Sequence, residues 1–168
     1  HHIWLNEGFA TYGEALWAEH TGGTSAYFAD VNANAYYGAG TIWVPDDTDE
    51  NRIFDSNLSY NKAGYVVHML RHVLGDSTFF AALRAYRTQY AYASATTENL
   101  RDVCEAVSGK NLHAFFQQWI YGEYYPAYRM SWSSAPGAVD GYDVTVNVDQ
   151  IQTWQLFNMP VDLTLTVG

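Results

Sequence analysis

"IWLNEGFATYGE", residues 3–14, decides how the first half of the chain folds. On a helix, Leu5, Phe9, Tyr12 and Leu16 recur at i, i+4, i+7 and i+11, which gives one apolar stripe. Glu7, Thr11 and Glu14 fall on the other side, flanked by Trp4 and Trp17. No lysine or arginine lies nearby to pair with either carboxylate, and Asn6-Glu7-Gly8 sets a polar pair and a poor helix former inside an aromatic helix. The helix needs no carboxylate at position 7, so Glu7 calls for a separate reason.

Working outward, a first helix over 3–20 is stopped by Thr21-Gly22-Gly23, and a second over 25–37 ends at Gly38. The long connection from Gly38 to Ser59 carries Asp46, Asp47, Asp49 and Glu50. Its length suits a functional or mobile loop, and its acidic run suits a solvated surface. A third helix spans 60–74 with Gly75 after it, and Asp76 and Ser77 can cap a fourth reaching residue 92. The fifth and sixth, 97–107 and 112–121, are followed by Gly109 and Gly122.

Near Pro126 the period changes from helical to two-fold. The segments 128–132, 142–152 and 161–167 alternate as strands between Pro136-Gly137, Asp140-Gly141 and Pro160. The expected class is α+β: a helical subdomain over 1–126 with about six helices, then antiparallel strands over 127–168 that are too few to complete a sandwich.

Composition narrows the function classes. With 18 acidic and 8 basic residues the net charge is −10, which disfavours nucleic acid and anionic membranes as partners. No apolar run is long enough for a membrane span. The single Cys104 can form no internal disulfide. A hydrophobic fraction of 48% supports a real core. An aromatic fraction of 17% keeps a carbohydrate- or peptide-binding module in view, since exposed tryptophan faces stack on sugars. Burial of Trp17, Trp43, Trp119 and Trp132 would count against it.

Two constellations have chemical potential. His68 and His72 stand at i, i+4 on the third helix, the spacing of paired zinc ligands, but Met69 occupies the place of a general-base glutamate and Arg71 adds positive charge. The margin of a helix packing face explains them better. Tyr60 stands at the mouth of the third helix, where a phenol either packs or donates to a developing oxyanion. His20 suits a helix C-terminus, and His113 begins the sixth helix. His1-His2 reads as natural sequence or as the stub of a tag.

Together these features resemble one family. "WLNEGFATYGE" is similar to the segment following the HExxH helix in the zinc-dependent aminopeptidase N family of gluzincins, and "SYNKAGYVVHMLR" is similar to the segment bearing that family's catalytic tyrosine. "NLHAFFQQWIYGEYYPAYRMSW" and "NMPVDLTLTVG" resemble its passage from a thermolysin-like helical subdomain into a β-sandwich. The family usually has Lys-Gly-Gly or Lys-Gly-Ala where this chain has Lys62-Ala63-Gly64.

The resemblance implies that Glu7 is the third ligand of one Zn2+, its charge balanced by the dication, and that Tyr60 stabilises the tetrahedral intermediate. Glu14, two turns on, lies too far along the helix to reach the same metal. The HExxH segment, with two histidine ligands and the general base, is expected upstream of His1 in the remainder of the parent polypeptide, as is the Gly-Ala-Met-Glu-Asn motif that grips the substrate amine. The implied parent removes N-terminal amino acids from peptides, and this stretch alone is expected to be inactive. A leukotriene-hydrolase-like activity and a metal-free scaffold that keeps the fold are the alternatives. Low lysine and high acidity fit a secreted or periplasmic bacterial protein.

Overall fold

Gly23 breaks the first helical stretch in two. Helix α1 (Trp4–Ala33) runs on either side of it, and its φ of 72° and ψ of −168° leave the helical region as Thr21-Gly22-Gly23 predicts. The second half ends at Ala33, short of residue 37. The computed structural model describes residues 1–137 and 139–166.

The buried face of α1 is rotated from the expected stripe. Trp4, Gly8, Thr11, Tyr12 and Ala15 are buried, whereas Leu5, Phe9 and Leu16 are only half-buried. Close approach of another helix is the reason. Helix α3 (Ala63–Leu74) crosses α1 where a Cβ on Gly8 would stand 2.6 Å from the Cβ of Ala63, and one on Gly64 2.9 Å from the Thr11 methyl. Small residues on both helices let the backbones meet. Thr11, assigned to the polar side, is therefore core.

A seven-residue π-helical turn (Ser56–Lys62) precedes α3, so the expected start at residue 60 lies inside a wider turn. Its cap is Asp55, whose carboxylate accepts from the backbone N–H groups of Asn57 and Leu58. After Gly75 comes α4 (Asp76–Tyr90), which has no side-chain cap because Gly75 itself stands at the N-cap; the expected cap residue Asp76 is the first helical residue, and its carboxylate is engaged by Arg71. Helix α5 (Thr97–Ser108) begins in a reciprocal cap between Thr96 and Asn99 and ends at a left-handed Gly109. Helix α6 (His113–Phe116) widens into a second π-helical turn (Gln117–Tyr121).

The long connection is neither featureless nor loose. It holds a short helix, α2 (Glu50–Ile53), and residues 40–44 form a strap pinned at several points. Ile42 and Val44 are fully buried. The N–H groups of Ile42 and Trp43 both donate to Ile120 O, at 3.1 and 3.0 Å, and Val44 N donates to His1 O at 3.0 Å. The acidic residues are exposed, as expected: Asp49 caps α2 and Asp46 holds Thr48 locally, while Asp47 reaches His1 at 3.2 Å.

Strands β1 (Tyr128–Pro136) and β2 (Tyr142–Gln150) pair antiparallel, with Trp132 opposite Val146. The third expected strand does not form over 161–166, and the rest of it lies outside the described residues. Phe157 links this part to the helices, buried with its ring centroid 4.8 Å from that of Trp119.

Candidate metal and catalytic site

Glu7 sits in the first turn of α1, half-buried. Its carboxylate accepts from the Asn6 side-chain amide at 3.1 Å, and among the described residues no lysine, arginine or histidine forms an ion pair with it. A carboxylate held near a packed helix crossing without a cationic partner fits one oxygen ligand of a divalent metal. It offers one oxygen donor and not a set: among the described residues no three histidine, cysteine, aspartate or glutamate side chains cluster as a metal would need.

The α1–α3 crossing brings Tyr60 to Glu7. Gly8 follows Glu7 directly, and Ala63, its contact, opens the helix that continues the Tyr60 turn. Desolvation raises the pKa of the Tyr60 phenol, and the nearby charge of Glu7 raises it further. The phenol therefore keeps its proton at neutral pH and is a donor.

The two histidines of α3 do not converge on a common point. His68 Nδ1 lies 2.7 Å from the Tyr27 hydroxyl, which lies 3.1 Å from that of Tyr12. His72 Nε2 instead meets Asp162 at 2.8 Å. His20 lies against the Trp17 ring, and His113 Nδ1 is 3.0 Å from Glu105. His1 and His2 are built into the fold: His1 stacks on Trp43 at 4.9 Å, and His2 Nδ1 lies 2.9 Å from the Thr97 hydroxyl. Cys104 is buried, and burial pushes its thiol up to about 12.

The tryptophans divide. Trp119 is buried and Trp43 half-buried, while Trp17 and Trp132 are exposed on α1 and β1, with no aromatic pair joining them among the described residues.

Sequence reasoning missed two buried cations. Lys62, 4% exposed, donates from Nζ to Gly40 O at 2.9 Å, and burial lowers its pKa to about 8. Arg71 forks onto Asp76 and onto Glu19 at 2.8–3.1 Å and also donates to the Tyr12 hydroxyl. The scarcity of lysine, with Lys62 one of two, was the available signal for the first.

Comparison with known proteins follows this geometry. Residues 1–119 match the peptidase family M1 domain. Aminopeptidase M1-C of Oryza sativa subsp. japonica is 33% identical over 161 residues, covering 89% of this chain and 17% of the rice protein. Aminopeptidase N of Lactococcus lactis subsp. cremoris is 30% identical over 139 residues, covering 74% of this chain and 16% of that protein. The fold is similar to that in the crystal structure of Legionella pneumophila aminopeptidase A in complex with aspartic acid, with a TM-score of 0.73 and 17% identity over 87% of this chain and 17% of that one. The chain thus spans about a sixth of the length of these relatives. With most of its length matched to the family domain and a relative at 33% identity, the chain belongs to peptidase family M1, the aminopeptidase N family.

Proposed function

We propose that this chain is the part of a zinc aminopeptidase that carries one metal ligand, Glu7, and the donor to the reacting carbonyl oxygen, Tyr60. The observation that supports this reading best is the nearness of a cation-free carboxylate and a protonated phenol at the α1–α3 crossing. The relatives named aminopeptidase support the reaction class. The substrates are peptides with a free N-terminus, which lose their first residue.

When bound, zinc supplies Lewis-acid polarisation of the scissile carbonyl and of the attacking water. The chain's own residues do the rest assigned to them here. Glu7 would hold the metal through a carboxylate oxygen, and among the described residues no side-chain cation forms an ion pair with it. Tyr60, kept protonated, donates to the oxygen that gains negative charge as the carbonyl is attacked. The remaining ligands and the general base come from polypeptide outside these residues, so the 168-residue chain alone retains well under a full equivalent of zinc and does not turn over.

The test is cleavage of an amino-acid anilide by the longer polypeptide that includes the HExxH segment. Tyr60→Phe lowers turnover by about 10²–10³-fold, the usual cost of one oxyanion donor. Near-normal turnover in that variant would refute the assignment.

A further inference from the structure

Tyr60 lies between two residues of one turn that both meet Gly40. The π-helical turn Ser56–Lys62 buries Leu58 on one side of it and Lys62 on the other. Lys62 Nζ donates to Gly40 O at 2.9 Å, and a Cβ on Gly40 would stand 2.6 Å from Leu58 Cδ1. Gly40 has a φ of 105°, which an L side chain seldom adopts, so this close approach depends on glycine. The Ser59 hydroxyl, in the same turn, is buried without a partner among the described residues and adds no tie of its own.

Gly40 belongs to a strap that is anchored without help from Lys62. Its N–H donates to the Glu123 carboxylate at 2.9 Å, and the N–H groups of Ile42 and Trp43 donate to Ile120 O. Arg52 of α2 donates to the carbonyl oxygens of Thr41 and Trp43. Lys62 therefore connects a fixed point to a turn whose wide backbone geometry is rare and recurs at functional sites. A buried ammonium group is costly, and a methionine of similar length would fill the same space without that cost. The bond to Gly40 accounts for the lysine better than packing does. The charge of Glu123 favours the protonated form that makes this bond.

We propose that Lys62 is a positioning residue for the peptidase reaction, its bond to Gly40 O fixing the turn so that the Tyr60 phenol meets the oxygen that gains negative charge. The inference rests on the role given to Tyr60 under the proposed function. Lys62 touches no reacting atom and acts through Tyr60, so its removal costs little once the phenol is gone.

The experiment measures kcat, KM and zinc content in the longer polypeptide that includes the HExxH segment, with an amino-acid anilide as substrate. The native sequence, Lys62→Met, Tyr60→Phe and the double variant form a cycle. Lys62→Met lowers kcat by about 10–10²-fold, the scale of a small misplacement, with KM nearly unchanged and one equivalent of zinc retained. In the Tyr60→Phe background the same change lowers kcat by less than about twofold. No loss in the native background would overturn the proposal, and so would an equal loss in both, which is what a general packing role gives. Glu123→Gln, at an exposed site, loosens Gly40 from its other side and lowers kcat by about two- to fivefold, again only where Tyr60 is present. Should Lys62→Met fail to fold, absence of that Glu123→Gln loss overturns the proposal. Near-normal turnover in Tyr60→Phe refutes the reading of Tyr60 and this inference with it, whereas a large Tyr60→Phe loss without coupling to Lys62 refutes this inference alone.

Discussion

Gly8 and Ala63 are in contact where α1 crosses α3, so closely that a methyl group on residue 8 would stand 2.6 Å from the Ala63 Cβ and 3.1 Å from its carbonyl carbon. This contact sets the helix spacing that places Glu7 by Tyr60. Gly8→Ala gains about 1 kcal/mol of helix propensity but overpacks a backbone contact, so the net effect is a loss of about 1–3 kcal/mol. Urea denaturation measures it. In an Ala63→Gly background the loss shrinks, because the two methyl groups no longer compete; equal losses in both backgrounds would show that the contact does not set the spacing.

Arg71 binds the first half of α1 to the start of α4. Its side chain is 10% exposed and carries forks to Glu19 and Asp76, with the rings of Tyr27 and Phe80 each 5.2 Å from its guanidinium carbon. Arg71→Met strips these partners of their donor and costs about 2–4 kcal/mol. Arg71→Lys recovers less than half of that, since an ammonium group cannot make two forks. Asp76→Asn, at an exposed partner, costs no more than about 1 kcal/mol. Thermal melts of the three variants give the order.

Acid weakens the fold through His68. Burial lowers its pKa below the ordinary value near 6.5, and the charges of His72 and Arg71 lower it further. The unfolded chain therefore takes up this proton first as pH falls. The stabilisation from neutral His68 is complete above about pH 6.5 and is lost as pH drops through the folded-state value. The denaturation midpoint of the native sequence falls as pH drops below about 6.5, and His68→Gln, which keeps a hydrogen bond to Tyr27, flattens that fall. An unchanged slope would exonerate His68.

Much of this architecture is legible from local signals. The break at Gly23, the glycine after α5 and the change of period at Pro126 are matters of backbone preference, which short stretches encode. What was misread depends on partners far along the chain. The rotated face of α1 follows from the small residues of α3, and the buried strap of Ile42 and Val44 follows from Ile120 and His1. The failed third strand has the right alternation, but alternation without a neighbouring strand makes no ladder. At the site, a family resemblance singled out Glu7 and Tyr60, whereas Lys62 and Arg71 owe their environments to tertiary contacts that sequence spacing does not reveal.

The most direct test is the zinc content of the longer polypeptide with the HExxH segment restored, measured after dialysis for the native sequence, Glu7→Gln and Tyr60→Phe. The native protein and Tyr60→Phe retain one equivalent, and Glu7→Gln retains well below one, because an amide is a poor substitute for a carboxylate ligand. A full equivalent held by Glu7→Gln would contradict the assignment of Glu7 as a ligand, and with it the account of the site.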